Sequence, residues 1–291
     1  MPVSFRIFVC LVLGFSFHPA HSQDPALFEN GAAYINPVNG PGYFQPLSNV
    51  LNNTFNVSLF PAADYKNEFY FYLGGNVGYH YIPENSWYFT GTTDANFESP
   101  VRMEVSTVFG PDESHAVQND AGEYYVFPGG FKMNSVLLGV PQITVGGVAN
   151  TAITFRFLAI PLDDEWGDLS LLGVGLQHVI SPYLPIEKMD LTVEAGFHQF
   201  QMGDWLQSRN FFARAGAAKA FEKSRIYGYL GYQAGELELT NSSANEVVTS
   251  KSNNPLLFGI GSSLDLAFFN INLELAINSI ITINAGIGLK F

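Results

Sequence analysis

The chain has 291 residues, a net charge of −13, 15% aromatic residues and only 13% charged ones. That charged fraction is about half the level of an ordinary soluble domain, and the few bases are scattered, which excludes a nucleic-acid partner. A Gly-rich, aromatic-rich chain of low charge fits a β-sheet with one face in lipid, and it equally fits a secreted β-sandwich.

Residues 1–22 have the three parts of a secretory signal peptide. Arg6 gives a positive start, Ile7 to Phe17 form an apolar run, and Ala20 and Ser22 stand at the small-residue positions of a cleavage site. The run is too short to span a bilayer as a helix. The chain's one cysteine, Cys10, lies inside it, so the exported chain is expected to carry no thiol chemistry.

Residues 23–55 follow a different pattern. Pro37, Pro41 and Pro46 interrupt it, and Leu47, Val50 and Leu51 mark a short amphipathic helix. This segment reads either as a periplasmic lead-in or as a plug folded back into a lumen. From residue 56 to 291 the chain reads as one antiparallel transmembrane β-barrel. About 12 strands are expected, with a range of about 10–14, because bacterial barrels have even counts.

Glu68 to Ile82 is a strand rich in Tyr and Phe, and Val101 to Phe109 alternates less well because of Arg102 and Glu104. Residues 110–150 give no secure strand. Beyond them the alternation is regular. Ile153, Phe155 and Phe157 oppose Thr154 and Arg156; Leu172, Val174 and Leu176 oppose Gly173, Gly175 and Gln177; Val193 and Phe197 oppose Glu194 and His198. Phe211 and Ala213 oppose Asn210 and Arg214, whereas Ile226 to Leu239 is aromatic on both faces. Leu256 to Phe268 opposes Gly259, Gly261 and Asp265, and Leu273 and Leu275 oppose Asn272 and Glu274. Ile281, Ile283, Ile287, Leu289 and Phe291 oppose Thr282, Asn284, Gly286 and Gly288 in strict period two. The polar faces hold mostly Gly, Ser, Thr and Asn. Such a face suits a crowded lumen; a soluble surface would carry more Lys and Glu.

Turns are expected at Phe269-Asn270 and at Asn278-Ser279. If the last strand ends at the periplasm, Asn278-Ser279 lies outside, Thr240 to Asn254 outside, and Glu222-Lys223-Ser224 inside. The acidic stretch Asp163, Asp164, Glu165 and Asp168 is then a candidate outer loop.

Arg156, Glu194, Arg214, Asp265 and Glu274 all fall on inward faces. They are candidate lumen-lining charges, either a pore lining that selects solutes by charge or a salt-bridge network filling a narrow barrel. His178 and His198 point to opposite faces, so no metal site is expected. His178 and Ser181 also diverge, and the acids Asp163, Asp164, Asp168 and Asp204 read as a solvated loop, so no catalytic site and no cofactor is expected.

Gly139-Val140-Pro141-Gln142, Thr154-Phe155-Arg156-Phe157, Gly173 to His178, Met202-Gly203-Asp204 and Ser106-Thr107-Val108-Phe109-Gly110 together resemble an uncharacterised family of outer-membrane barrels found mainly in Bacteroidota. The resemblance implies a barrel and no known activity. The end on Ile287, Leu289 and Phe291 resembles the signal read by the barrel-assembly machinery. The overall plan is similar to that of fatty-acid transport barrels, without a shared motif. The expected location is the bacterial outer membrane, with lipid and the assembly machinery as partners. The expected function is a pore or transporter for small solutes, apolar ones included. The alternative is a non-conducting barrel acting as anchor or binding platform through its outer loops.

Overall fold

The computed structural model describes residues 31, 33–60, 68–93, 97, 99–162, 167–186, 189–241 and 245–291. The leader expected over residues 1–22 and the acids Asp163, Asp164 and Glu165 lie outside the described residues.

Among the described residues, the helices α1 (Gly40–Tyr43) and α2 (Gln45–Asn56) precede the strands. The strands follow: β1 (Tyr70–Tyr81), β2 (Tyr88–Thr92), β3 (Arg102–Ser106), β4 (His115–Gln118), β5 (Tyr124–Phe127), β6 (Ser135–Val148), β7 (Thr151–Pro161) and β8 (Asp168–Val179). After them come β9 (Asp190–Met202), β10 (Leu206–Ala220), β11 (Ser224–Asn241), β12 (Glu246–Lys251), β13 (Leu256–Leu266), β14 (Phe269–Ile277) and β15 (Ile281–Lys290).

Ten of these strands form one closed antiparallel ring. β1 pairs with both β15 and β6, and β10 pairs with β11, so the ring runs through β1, β6, β7, β8, β9, β10, β11, β13, β14 and β15. Closure leaves the ring without a free edge, so backbone groups are satisfied strand to strand, as an apolar solvent demands. Side chains follow the alternation: Leu273, Ile283 and Ile287 are exposed outward, while Asn272, Asn284 and Glu274 are buried inward. Over Ile226 to Leu239, Tyr227 and Tyr229 share the inward face with buried Arg225, Gln233, Leu237 and Leu239, while Ile226, Leu230 and Tyr232 face out.

The ring has ten strands, the low end of the expected range of about 10–14 and two below its central value of about 12. The difference lies between Ile82 and Asn134, where β2–β3 and β4–β5 form two separate hairpins that never join it. Their apolar residues Val105, Phe127 and Phe89 pack with Tyr34 and Tyr43 in a core that continues onto α2 and the far-end parts of the ring strands. The turn expected at Phe269-Asn270 falls two residues earlier, at Ala267-Phe268, where Ala267 takes the left-handed conformation at φ 55°. Asn270 belongs to β14 because its amide points inward and donates to Asp265 at 2.6 Å.

Antiparallel pairing sorts the connections between two ends. Tyr81 pairs with Ile281 and Tyr72 with Lys290. The 278–280 turn, the excursion over 82–134, the β9–β10 turn and the stretch holding β12 therefore share one end, here called the far end. The C-terminus and the turns at 149–150, 221–223 and 267–268 share the near end. β11 overshoots the ring at the far end, where its last residues, Glu236 to Asn241, pair with β12. β10–β11–β12 with the two hairpins and α1 thus build a cap.

At the seam between β1 and β15 the Tyr72 ring lies across Gly74 and Gly288, so that a Cβ on either glycine would overlap it. Gly288→Ala is expected to destabilise the barrel by about 1–3 kcal/mol, the usual range for overpacking. The measurement is the temperature at which heated protein loses its compact gel migration. An unchanged temperature would mean that Tyr72 has room to move aside.

Candidate functional site in the barrel lumen

α2 is built from an uncharged sequence, with Pro46 in its first turn, where a missing N–H costs nothing. Its two faces differ. Val50, Leu51 and Phe55 join the apolar core with Leu171 and Leu206. Asn49, Asn52, Asn53 and Asn56, spaced i, i+3, i+4 and i+7, make a stripe of amides along the helix.

That stripe meets the far-end loops. The Asn49 side chain and Asn253 exchange two hydrogen bonds (2.8 and 3.0 Å). Asn52 donates to Ser252 at 2.9 Å. Asn53 forms a reciprocal amide pair with Asn278 and also contacts Thr282, Gln233 and Asn254. Asn56 donates to Asn52 and to the Phe211 carbonyl. Thr54 bonds His80, which bonds Thr282 in turn. Each of the four amides is buried and makes at least one hydrogen bond, although the Asn56 side-chain oxygen accepts none.

Below the helix the chain turns extended at Val57, and Ser58 adopts φ 52°, the left-handed region that non-glycine residues rarely enter. Wall residues hold this bend. Arg156, fully inside the barrel, makes five hydrogen bonds: three to the carbonyls of Phe55, Val57 and Ser58 (2.8, 2.9 and 3.0 Å) and two to the Gln142 side chain. Arg214 donates to the Asn56 carbonyl at 3.2 Å. Glu274 accepts from the Ser58 amide (2.9 Å), from Tyr229 (2.6 Å) and from Tyr227 (2.7 Å). Asn76 donates to the Ser58 carbonyl, and Gln142 and Thr154 to that of Leu59. Partners for residues 53–59 thus come from seven ring strands, β1, β6, β7, β10, β11, β14 and β15, so the segment runs inside the ring.

Three of the five expected lumen charges, Arg156, Arg214 and Glu274, therefore touch the segment directly. Glu194 acts on it at one remove. Its carboxylate accepts from Arg214 Nε at 2.5 Å, from Gln177 at 2.8 Å and from Thr192 at 3.1 Å. The Arg214 guanidinium also lies 3.9 Å from the Tyr229 ring centroid. Asp265 stands apart, near the C-terminal mouth, paired with Lys290 at 3.2 Å. A small cavity of about 10 Å³ remains between Phe60, Arg214, Tyr229 and Glu274, room for about one water.

His198 is fully buried inside the ring between the rings of Phe55 and Phe212, while His178 bonds Thr151 and stacks on Tyr183. Among the described residues no three His, Cys, Asp or Glu side chains gather in a way that could hold a metal. Asp168 opens β8 at the far end. Ile287 and Phe291 are exposed on the outer surface, and Phe291 exchanges backbone hydrogen bonds with Phe71.

The amide stripe, Gln142, Tyr227 and Tyr229 are absent from the residues singled out in the sequence. The spacing of Asn49, Asn52, Asn53 and Asn56 was the available signal, because four amides on one helical face with no charge nearby ask for a polar wall.

In the cap, Tyr34 and Tyr43 stack at 4.0 Å, and their hydroxyls donate to the carbonyls of Pro128 and Gly129. Burial pushes both phenols well above their ordinary range.

A family model described as "Family of unknown function (DUF6588)" matches residues 1–291. The chain belongs to this family. No curated protein matches it. Among solved structures, it is similar to Ail, the attachment invasion locus protein of Yersinia pestis (11% identity, 77% of this chain and 98% of that chain covered, TM-score 0.27). It is also similar to OmpT, an outer membrane protein of Vibrio cholerae (8% identity, 77% and 98% covered, TM-score 0.27). A third likeness is to a mutant porin of Rh. blastica (8% identity, 77% and 100% covered, TM-score 0.17).

Proposed function

We propose that this DUF6588 protein resides in a bacterial outer membrane, exported by a cleaved leader, with its far end facing outside. At rest its own N-terminal segment closes the lumen, and its outer cap serves as a binding platform. The observation that carries this reading is the set of hydrogen bonds binding residues 53–59 to seven strands, with space for about one water left beside them. The outward faces supply a continuous apolar surface for lipid, as Phe155, Leu172, Phe197, Leu230, Leu273 and Ile283 illustrate.

Transport of small solutes through the same barrel is the second reading. Residues 45–56 are uncharged and held on one face by amide hydrogen bonds, which water can replace as the segment leaves. Apolar solutes would need a route that the packed lumen lacks at rest. Planar-bilayer recording separates the two. The intact protein is expected to be silent, and a variant lacking residues 31–60 is expected to conduct. Steady conductance by the intact protein would sink the closed platform and favour an open pore.

A further inference from the structure

The direction in which the N-terminal segment runs carries a consequence of its own. Its first described residues are seated in the far-end cap. Tyr34 bonds Pro128, Asn39 exchanges hydrogen bonds with Thr92, Tyr43 accepts from the Val108 amide, and the Pro41 carbonyl accepts from Ser250. From there the contacts descend in order. Asn49 meets Asn253 and Asn53 meets Asn278 at the far-end mouth. Ser58 meets Glu274 and Asn76, and Leu59 meets Thr154, within the ring. β1 then begins at Tyr70, at the near end, where Tyr72 pairs with Lys290. The chain enters the ring from the far end, descends through it, and only then turns back as the first wall strand.

We infer that the protein displays residues 34–44 of its N-terminal segment on the cell surface, threaded outward through its own barrel. The inference rests on the orientation proposed above. An exported chain arrives on the near side, yet residues 34–44 sit at the far end. These residues must pass the ring before or while β1 zips onto β15. The barrel then works as a self-loading display scaffold. The exposed tip of this N-terminal stretch, the turn at Val38, is 62% accessible beside the outer hairpins.

The test uses full-length protein in which Cys10 is replaced by serine, with one new cysteine per variant: Val38→Cys in the N-terminal turn, Tyr124→Cys in the outer hairpin (66% accessible) or Glu222→Cys in the β10–β11 turn. Intact cells are treated with a maleimide polymer too large to cross the outer membrane, and labelling is read as a gel shift. Val38→Cys and Tyr124→Cys are expected to shift on intact cells, and Glu222→Cys only after permeabilisation. If Val38→Cys reacts only after permeabilisation while Tyr124→Cys reacts at once, the threading is overturned and the platform stands. If Glu222→Cys reacts on intact cells and Tyr124→Cys does not, the orientation fails and both readings fall with it. As a second measurement, Asn49→Cys with Asn253→Cys should cross-link through a short bis-thiol reagent; a pair that never cross-links overturns the threading directly.

Discussion

Arg156→Ala is expected to loosen the lumen segment by about 3–5 kcal/mol, the scale for stripping a buried charged donor from several acceptors. The loss arises because the carbonyls of Phe55, Val57 and Ser58 would stay buried without their donor. Two measurements follow it: the temperature of heat-modified gel migration, which should fall, and conductance, which should appear in flickers as the segment detaches. Arg156→Lys should recover only part of the effect, since an ammonium lacks the planar fork that serves three carbonyls and Gln142 together. Repeating the substitution in protein lacking residues 31–60 isolates the interaction. If Arg156→Ala costs as much without the segment as with it, Arg156 is a wall residue and no clasp.

A comparable loss, about 3–5 kcal/mol, is expected from Arg214→Ala, for a different reason. The substitution strands the Glu194 carboxylate inside the ring, with Gln177 and Thr192 as its remaining partners. Removing one member of a buried ion pair is far more damaging than replacing both, because desolvation of the survivor is no longer offset. The double variant Arg214→Met with Glu194→Gln should therefore be more stable than Arg214→Ala alone, as read by denaturant midpoints in detergent or lipid. Strictly additive single and double effects would refute the coupling. Arg214 also stacks over Tyr229, and methionine keeps some of that contact.

The wall of this barrel was legible from sequence because its information is local. Period-two alternation at Ile281 to Phe291 or Ile153 to Phe157 needs only neighbouring residues, and pairing adds register without changing which face is which. The inward placement of Arg156, Glu194, Arg214, Asp265 and Glu274 follows from the same parity. The turn at Ala267-Phe268 was missed by two residues, because Asn270 has good turn chemistry on its own and is claimed by Asp265 only in three dimensions. The strand count came out at ten, the low end of the expected range, because β2 to β5 stay outside the ring. Residues 101–109 alternate poorly and 110–150 give no secure strand from sequence, and only packing with Tyr34 and Tyr43 shows that these short strands belong to the cap. Contacts of the lumen segment were out of reach for a similar reason. Asn49 and Asn253 are 204 residues apart in sequence, and an amide carries no mark of its partner.

The chemistry of α2 bears on how the lumen is opened. Its twelve residues, Gln45 to Asn56, include no ionisable side chain. A voltage acts on a body through its charge, by about 2.3 kcal/mol per elementary charge across 100 mV. A neutral helix feels no net pull in such a field. On the transport reading, opening would then be a mechanical or competitive event: tension on the cap would draw the segment along the axis, or a ligand would take over the amides of Asn49, Asn52 and Asn53 at the far-end mouth.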